Sequence, residues 1–313
     1  MSLLDRAIVS VLPAVPRRIV RRLSSPYIAG TDLAAARATV AGLNAAGKLA
    51  TVDVLGEVIG SADEARAITE TYLEVLDAIA ADGLDANVSV KPTGLGLLLG
   101  YDVCRENVEL VARRAADRGT FVRIDMEDSS TTDDTLRLYR ELRADGYENL
   151  GVVLQASLRR TLADAETLAA EGVNVRLCKG IYVEPAELQF GDFDAVRASY
   201  VSALETLLDA GCQVGIATHD DWLIEQALRI IGERGLAPHA YEFQMLLGVR
   251  PATGDRLVAD GHPLRIYVPF GSKWYEYSLR RLKENPKVAG YIAAGTLDRL
   301  KGSLRASRRP RRR

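Results

Sequence analysis

The chain has 313 residues, 48% hydrophobic and 26% charged, a globular balance with enough apolar side chain to fill a large core. Cys104, Cys178 and Cys212 are scattered without CxxC spacing, which excludes a disulfide scaffold and fits a reducing compartment; three histidines with no HExxH motif leave no histidine-rich metal site. The net charge of −2 is uneven, because Lys301, Arg305, Arg308, Arg309, Arg311, Arg312 and Arg313 crowd the C-terminus; such a tail either meets anionic lipid or nucleic acid or serves solubility alone.

In chain order, the opening MSLLDRAIVSVLPAVPRRIVRRL carries an apolar run. Asp5 and Arg6 precede it, Pro13 and Pro16 interrupt it, and its other arginines follow it, the wrong order for a secretory signal. No stretch reaches the roughly 18 apolar residues of a membrane span, so a cytoplasmic protein is expected. Arg17, Arg18, Arg21 and Arg22 beside Ile19, Val20 and Leu23 form a basic amphipathic turn for the inner face of a membrane, or a helix packed on the body. Residues 31–47 read as a helix with Thr31 as N-cap and Gly47 at its end. Residues 1–48 are therefore expected to be a helical N-terminal segment.

From residue 49 onward, β-rich apolar runs recur roughly every thirty residues, over 50–57, 87–91, 120–127, 149–155, 174–180, 213–219, 240–245 and 263–271. Helical patterns lie between them, over 63–81, 103–118, 133–144, 159–170, 192–210 and 222–234. Eight β/α units predict an α/β fold, a distorted (β/α)8 TIM-type barrel over 49–300, followed by a disordered basic tail over 301–313. A doubly wound open sheet is the alternative.

Each run reads apolar until its C-terminal end, where polar residues enter: Glu57, Lys91, Asp125 and Glu127, Gln155, Arg176 with Lys179 and Tyr182, Thr218 with His219, Gln244, and Tyr267. In a barrel these ends converge on one face, where such folds hold their chemistry, and so many polar ends imply a large polar ligand. Gly94, Gly96 and Gly100 make GxGxxxG, not the dinucleotide GxGxxG, and read as a turn. Lys179 at a strand end also suits a Schiff-base lysine, so a lysine-dependent lyase or aldolase is a competing expectation.

The last run enters a helix in IYVPFGSKWYEYSLRRLKENP, residues 266–286. Arg280 and Arg281 lie about 100° apart on it, so two guanidinium forks can converge on one small anion, with Glu284 on the same side. Two cations and an anion suit a zwitterion such as an amino acid. Arg-Arg-x-x-Glu is equally the pattern of a solvated helix face, and spacing alone leaves both readings open.

The set RIDMED (123–128), RLCKGIY (176–182), ATHD (217–220), YEFQML (241–246) and IYVPFG followed by YSLRRLKE (277–284) resembles the proline dehydrogenase family, over about 49–286. The resemblance implies a short, monofunctional flavoenzyme that oxidises L-proline to Δ1-pyrroline-5-carboxylate and passes electrons to a membrane quinone. A separate pyrroline-5-carboxylate dehydrogenase would be its pathway partner, and no nucleic acid is expected. It assigns Arg280, Arg281 and Lys91 to the substrate carboxylate, Glu284 to the neighbourhood of the amine, and Tyr182 and Tyr267 to the proline ring. Asp125 would orient Lys91 and the flavin edge, and Arg176 would stand near flavin N5; these two are the catalytic pair. FAD contacts fall to Met126, Gln155, Arg176, Lys179, Gly180, Ile181, Thr218, His219, Gln244 and Met245. Val183 departs from the pattern, since the long bifunctional relatives usually carry an aromatic there for the adenine.

Overall fold

Strands closing on one another in sequence order organise the computed structural model, which describes residues 17–56, 59–275 and 277–279. They are β1 Leu49–Val54, β2 Ala86–Val90, β3 Val122–Ile124, β4 Leu150–Gln155, β5 Val175–Cys178, β6 Val214–Ala217, β7 Tyr241–Leu246 and β8 Leu264–Phe270. All neighbours are parallel, and β1 pairs with both β2 and β8. Closure removes both sheet edges and rules out the open, doubly wound alternative.

Helices α1 Arg17–Ser24 and α2 Leu33–Ala45 precede the barrel, and α3 Ala62–Asp82, α4 Tyr101–Asp117, α5 Thr132–Ala144, α6 Thr161–Ala170, α7 Phe193–Asp209, α8 Asp221–Arg234 and α9 Pro251–Ala259 alternate with its strands. The eight runs and six helices expected from periodicity are all present. The N-cap of α2 is Asp32 rather than Thr31: its carboxylate accepts from the Ala35 amide at 2.9 Å. Helix α9 was not foreseen, being only nine residues long with Gly254 inside it. That glycine has a packing reason, for a Cβ there would stand 2.9 Å from Leu264 Cδ2 on β8. GLGLLLG is a turn, as expected, with Gly96 in the left-handed region at φ 106°.

The strands do not read apolar to a polar end; they alternate, and the period of two decides which side each residue faces. Val52, Val88, Val122, Ile124, Val152, Leu177 and Ile216 point outward under the helices and are fully or almost fully buried, each worth about 1.5–3 kcal/mol when removed from water. The alternate set points into the lumen and is polar: Asp53, Ser89, Arg123 with Asp125, Gln155, Arg176, Glu242 with Gln244, and Arg265 with Tyr267. Two glycines make room for it. A Cβ on Gly151 would lie 2.5 Å from Arg123 Nη1, and one on Gly215 would lie 2.5 Å from Gln244 Nε2.

Helix α1 packs through buried Val20 and Ser24 and leaves Arg17, Arg18, Arg21 and Arg22 exposed. The chain then lines up along β8, Ala29 N donating to Pro269 O at 2.9 Å and Gly271 N to Gly30 O at 3.1 Å. Ile28, Leu55 and Tyr277 form a small apolar cluster with Trp274. Trp274, Tyr275 and residues 277–279 are helical, at the expected start of the last helix. Glu57, Arg280, Arg281, Glu284 and the tail over 301–313 lie outside the described residues.

Candidate active site

The upper lumen is a hydrogen-bonded lattice of alternating charge. Lys91 Nζ, on leaving β2, lies 2.9 Å from Asp53 Oδ1 on β1, 3.4 Å from Asp125 Oδ2 and 2.8 Å from the Tyr267 hydroxyl on β8. Tyr267 in turn donates to Asp125 Oδ2 at 3.0 Å. The other Asp125 oxygen accepts from Ser89 Oγ and from Arg176 Nη1, both at 2.6 Å. Arg176 Nε donates to Gln244 Oε1 at 2.6 Å, and Gln244 Nε2 donates to Glu242, which is paired with Arg265 at 2.7 Å. Asp53, Lys91, Asp125 and Arg176 thus sum to zero charge, which makes their removal from water tolerable.

That lattice fixes protonation. Burial alone would raise the Asp125 carboxyl, but Arg176, Lys91 and the bonds from Ser89 and Tyr267 hold it below the ordinary carboxylate range. Burial would lower the Lys91 ammonium, yet Asp53, Tyr267 and Asp125 drive it well above its ordinary value. A Schiff-base lysine must offer a neutral amine, so Lys91 is unsuited to that chemistry. Burial, then Asp125 and Asp53, push the Tyr267 hydroxyl well up, so it stays a donor. Burial also pushes the Cys178 thiol up to about 11, which removes it as a nucleophile. Lower in the barrel, burial and the nearby Arg176 push Arg123 down to about 9; it remains a cation, with Nη1 donating to the Val152 and Asn174 carbonyls at 2.9 and 2.8 Å.

Above the lattice, at the C-terminal ends of the strands, opens a cavity of about 1420 Å³. Every predicted site residue that the structure describes lines it. Lys91, Asp125, Arg176, Gln244 and Tyr267 form its floor, and Met126, Gln155, Thr218, His219 and Met245 its wall, while Lys179, Gly180, Ile181 and Tyr182 carry it to the rim. Gln155 Nε2 is spent on the Glu127 carbonyl at 2.6 Å. His219 Nε2 accepts from Leu246 N at 3.0 Å, so the proton of the neutral ring sits on Nδ1. Gly180 has φ +96°, and a Cβ there would stand 2.3 Å from Ser157 Oγ, so only glycine brings the chain this close to the wall. Met245 turns its sulfur toward Gly254 outside the barrel, which leaves its backbone for the cavity. Glu127 belongs to the structure instead: its carboxylate accepts from Thr93 N at 2.8 Å and from Thr93 Oγ1 at 2.6 Å.

Reading the sequence missed Asp53, Ser89, Glu242 and Arg265, and at the rim Phe193, Arg197, Trp222 and Arg250, which line the cavity beside Lys179. A signal for the first group was present: a charge in the middle of an apolar strand has to be paired across the barrel. Lys179 is tied to Asp220 at 3.3 Å, and Asp220 also takes the fork of Arg197 at 2.7 and 3.0 Å. Arg250 is the one non-glycine residue of positive φ among the described residues, and it reaches Asp221 at 2.6 Å and the His219 carbonyl at 2.6 Å. The loop bearing Tyr182 is moored by Glu184, which accepts from Ser129 N at 2.7 Å and Ser129 Oγ at 2.6 Å. Among the described residues no group of acidic, histidine and cysteine side chains could hold a metal ion, and no helix is long and apolar enough to cross a membrane.

A closed β/α barrel with a neutralised ionic floor and a large cavity at its C-terminal mouth, among the described residues, is the architecture of a barrel enzyme, whose chemistry sits at that face. A model of the proline dehydrogenase family matches residues 36–294, and the chain belongs to that family. It is 37% identical to proline dehydrogenase 2 of Bacillus subtilis over 275 residues, which are 88% of this chain and 90% of that protein. The proline dehydrogenase of Deinococcus radiodurans is 33% identical over 285 residues, 90% of this chain and 92% of that one. Among solved structures, proline utilization A from Bdellovibrio bacteriovorus, inactivated by N-propargylglycine, superposes with a TM-score of 0.81 at 24% identity, covering 89% of this chain and 36% of the larger protein. That last likeness is one of fold.

Proposed function

We propose that the chain oxidises L-proline to Δ1-pyrroline-5-carboxylate with FAD in the barrel mouth. The observation that carries this reading is the cavity itself. At about 1420 Å³ it exceeds the roughly 300–1000 Å³ usual for one small ligand, so an amino acid alone leaves most of it empty. Its residues also suit a flavin: backbone at Met126 and Gly180, the amide of Gln155, and the Arg176 cation at the floor. Bound FAD would supply the acceptor for the hydride that leaves the ring carbon beside the proline nitrogen and the route of those electrons to a membrane quinone.

The protein's own part is placement and electrostatics. Arg176, pinned by Asp125 and Gln244, offers a fixed cation where negative charge accumulates. Tyr267 has its hydroxyl tied to Lys91 and Asp125, so its ring is held for the proline methylenes and keeps water out. Tyr182 serves the ring from the rim. With Lys91 ringed by Asp53 and Asp125, its charge is largely spent, and Arg280 and Arg281 carry the substrate carboxylate, with Glu284 near the amine. Asp125 is a brace rather than a base, because it is held ionised at low pKa. A separate pyrroline-5-carboxylate dehydrogenase consumes the product. The exposed arginines of α1 meet the anionic membrane surface that holds the quinone, an association that added salt weakens.

The test is anaerobic: added proline should bleach the flavin of the FAD-loaded protein, and a preparation that takes up no FAD, or holds FAD that proline does not reduce, overturns the reading. Arg281→Met should lower kcat/KM by on the order of 2–4 kcal/mol with FAD retained; unchanged kinetics would remove Arg281 from the site.

A further inference from the structure

Two aromatic rings stand in water at the rim of the cavity. Phe193, the first residue of α7, is 53% exposed, and Trp222, in the first turn of α8, is 39% exposed. Single exposed apolar residues are common, but these two line the same cavity and flank the same guanidinium. Arg197 Cζ lies 4.3 Å from the Phe193 ring centroid and 5.1 Å from that of Trp222. The guanidinium is held there by a two-pronged bond to Asp220, whose side chain is only 5% exposed. Lys179 Nζ stands 4.9 Å from the Phe193 centroid and completes the group. A ring, a planar cation and a second ring are thus fixed side by side with apolar faces open to solvent. Among the described residues the one other carboxylate within ion-pair reach of Arg197 is Asp194, at 3.9 Å and highly exposed.

We infer that this stack, Phe193–Arg197–Trp222, seats the adenine of the dinucleotide, with Lys179 serving its diphosphate; the inference rests on the FAD reading above. A purine is the ligand such a surface recognises. Aromatic rings and an arginine plane stack on a base without needing to read its edge, and Lys179, whose bond to Asp220 is the long one at 3.3 Å, can turn to a phosphate. Glu225, three residues after Trp222, lines the same stretch and can accept from ribose hydroxyls or the exocyclic amine. The position after Tyr182 offers no such platform: Val183 is 96% exposed and carries no ring. The base therefore leans toward α7 and α8, not toward the loop after β5.

The discriminating measurement is affinity rather than turnover. Full-length protein stripped of flavin is titrated with FAD and with FMN, which lacks the adenosine half, as wild type and as Trp222→Leu, Phe193→Leu and Trp222→Tyr. Wild type should prefer FAD. The two leucine variants should each lose on the order of tenfold in FAD affinity, as expected for one base–aromatic contact, with FMN affinity unchanged and ADP no longer an effective competitor. Trp222→Tyr should restore most of the loss. Leucine variants that bind FAD as wild type does, or that lose FAD and FMN in parallel, overturn the stack while leaving FAD as cofactor. A wild type that binds neither flavin overturns the FAD reading and this inference with it.

Discussion

The floor and the rim of the cavity use the same device, one aspartate shared between an arginine and a lysine. At the floor Asp125 holds Arg176 and Lys91; at the rim Asp220 holds Arg197 and Lys179. Their surroundings make them different things. The Asp125 group is closed in by Asp53, Ser89, Gln244 and Tyr267, and its members keep at most 15% of their side-chain surface. A charge there is strongly coupled to its partners, and removal of one strands the others in a low dielectric. At the rim Asp220 is itself buried, but Arg197 and Lys179 keep 24% and 32% of their side-chain surface, so these ion pairs are screened more than those of the floor and add less to stability. Burial turns the floor into structure that holds Arg176 and Tyr267 in one pose. Exposure leaves the rim free to exchange its contacts for a ligand's.

The sharpest way to break this contrast is Asp125→Ala. It leaves Arg176 and Lys91 short of a carboxylate, and the cost should be about 3–5 kcal/mol, read as a lower thermal midpoint or denaturant midpoint of the flavin-free protein. A loss below about 1 kcal/mol would mean that water enters the lumen and that the floor behaves like the rim. Asp53→Asn is a milder probe, since it keeps shape and one acceptor while halving the negative charge around Lys91. We expect about 1–3 kcal/mol of destabilisation, together with a fall in kcat larger than any rise in KM, because Lys91 then pulls Asp125 and Tyr267 out of line. Asp53→Glu should recover part of both. A purely structural role would lower stability and leave the kinetics of the folded fraction untouched.

How much of this was legible beforehand depends on what each residue answers to. The barrel was readable because the strands present an apolar outward face, mostly Val, Ile and Leu with Tyr241, Phe243 and Met245 on β7, a signal local to five or six residues. The cavity wall was readable because the polar side chains Gln155, Thr218 and His219 stand at the ends of β4 and β6. Asp53 and Glu242 were not recognised, for their meaning lies in partners on strands far off in sequence: Lys91 is 38 residues from Asp53, and Arg265 is 23 from Glu242. The rim was harder still. Phe193 and Trp222 sit at helix starts, where an aromatic looks like core, and only the packing of α7 beside α8 brings them to one guanidinium.

Acid tests the floor next, and the Asp220 carboxyl at the rim is held down against burial as well, by Arg197 and Lys179. Asp125 and Glu242 both have carboxyl pKa values held below their ordinary range against the upward pull of burial, the first by Arg176 and Lys91, the second by Arg265. A carboxyl depressed in the fold contributes stability that is complete above its unfolded value, near 3.9 for Asp and 4.3 for Glu, and that is lost as pH falls through the folded value. The thermal midpoint should therefore be nearly flat from pH 7 to about 5 and drop below about pH 4. Glu242→Gln should start lower and show a shallower acid limb. An unchanged limb would place the acid sensitivity in surface carboxylates instead.

The smallest expected effect on stability, and the one that most sharpens the contrast, is Arg197→Met. Arg197 pairs with Asp220 at hydrogen-bond distance, but Asp220 keeps Lys179 as a cation when the guanidinium is lost, so the thermal midpoint of the flavin-free protein should move far less than in Asp125→Ala. Flavin binding should respond. Without the guanidinium the two rings lose their common spacer, and FAD affinity should fall while FMN affinity stays near wild type. Raising the salt should weaken FAD binding to the wild type, because Lys179 meets the diphosphate at the partly exposed rim. A midpoint that drops as far as that of Asp125→Ala would show that the rim is built as rigidly as the floor, and the division of labour between the two aspartates would be gone.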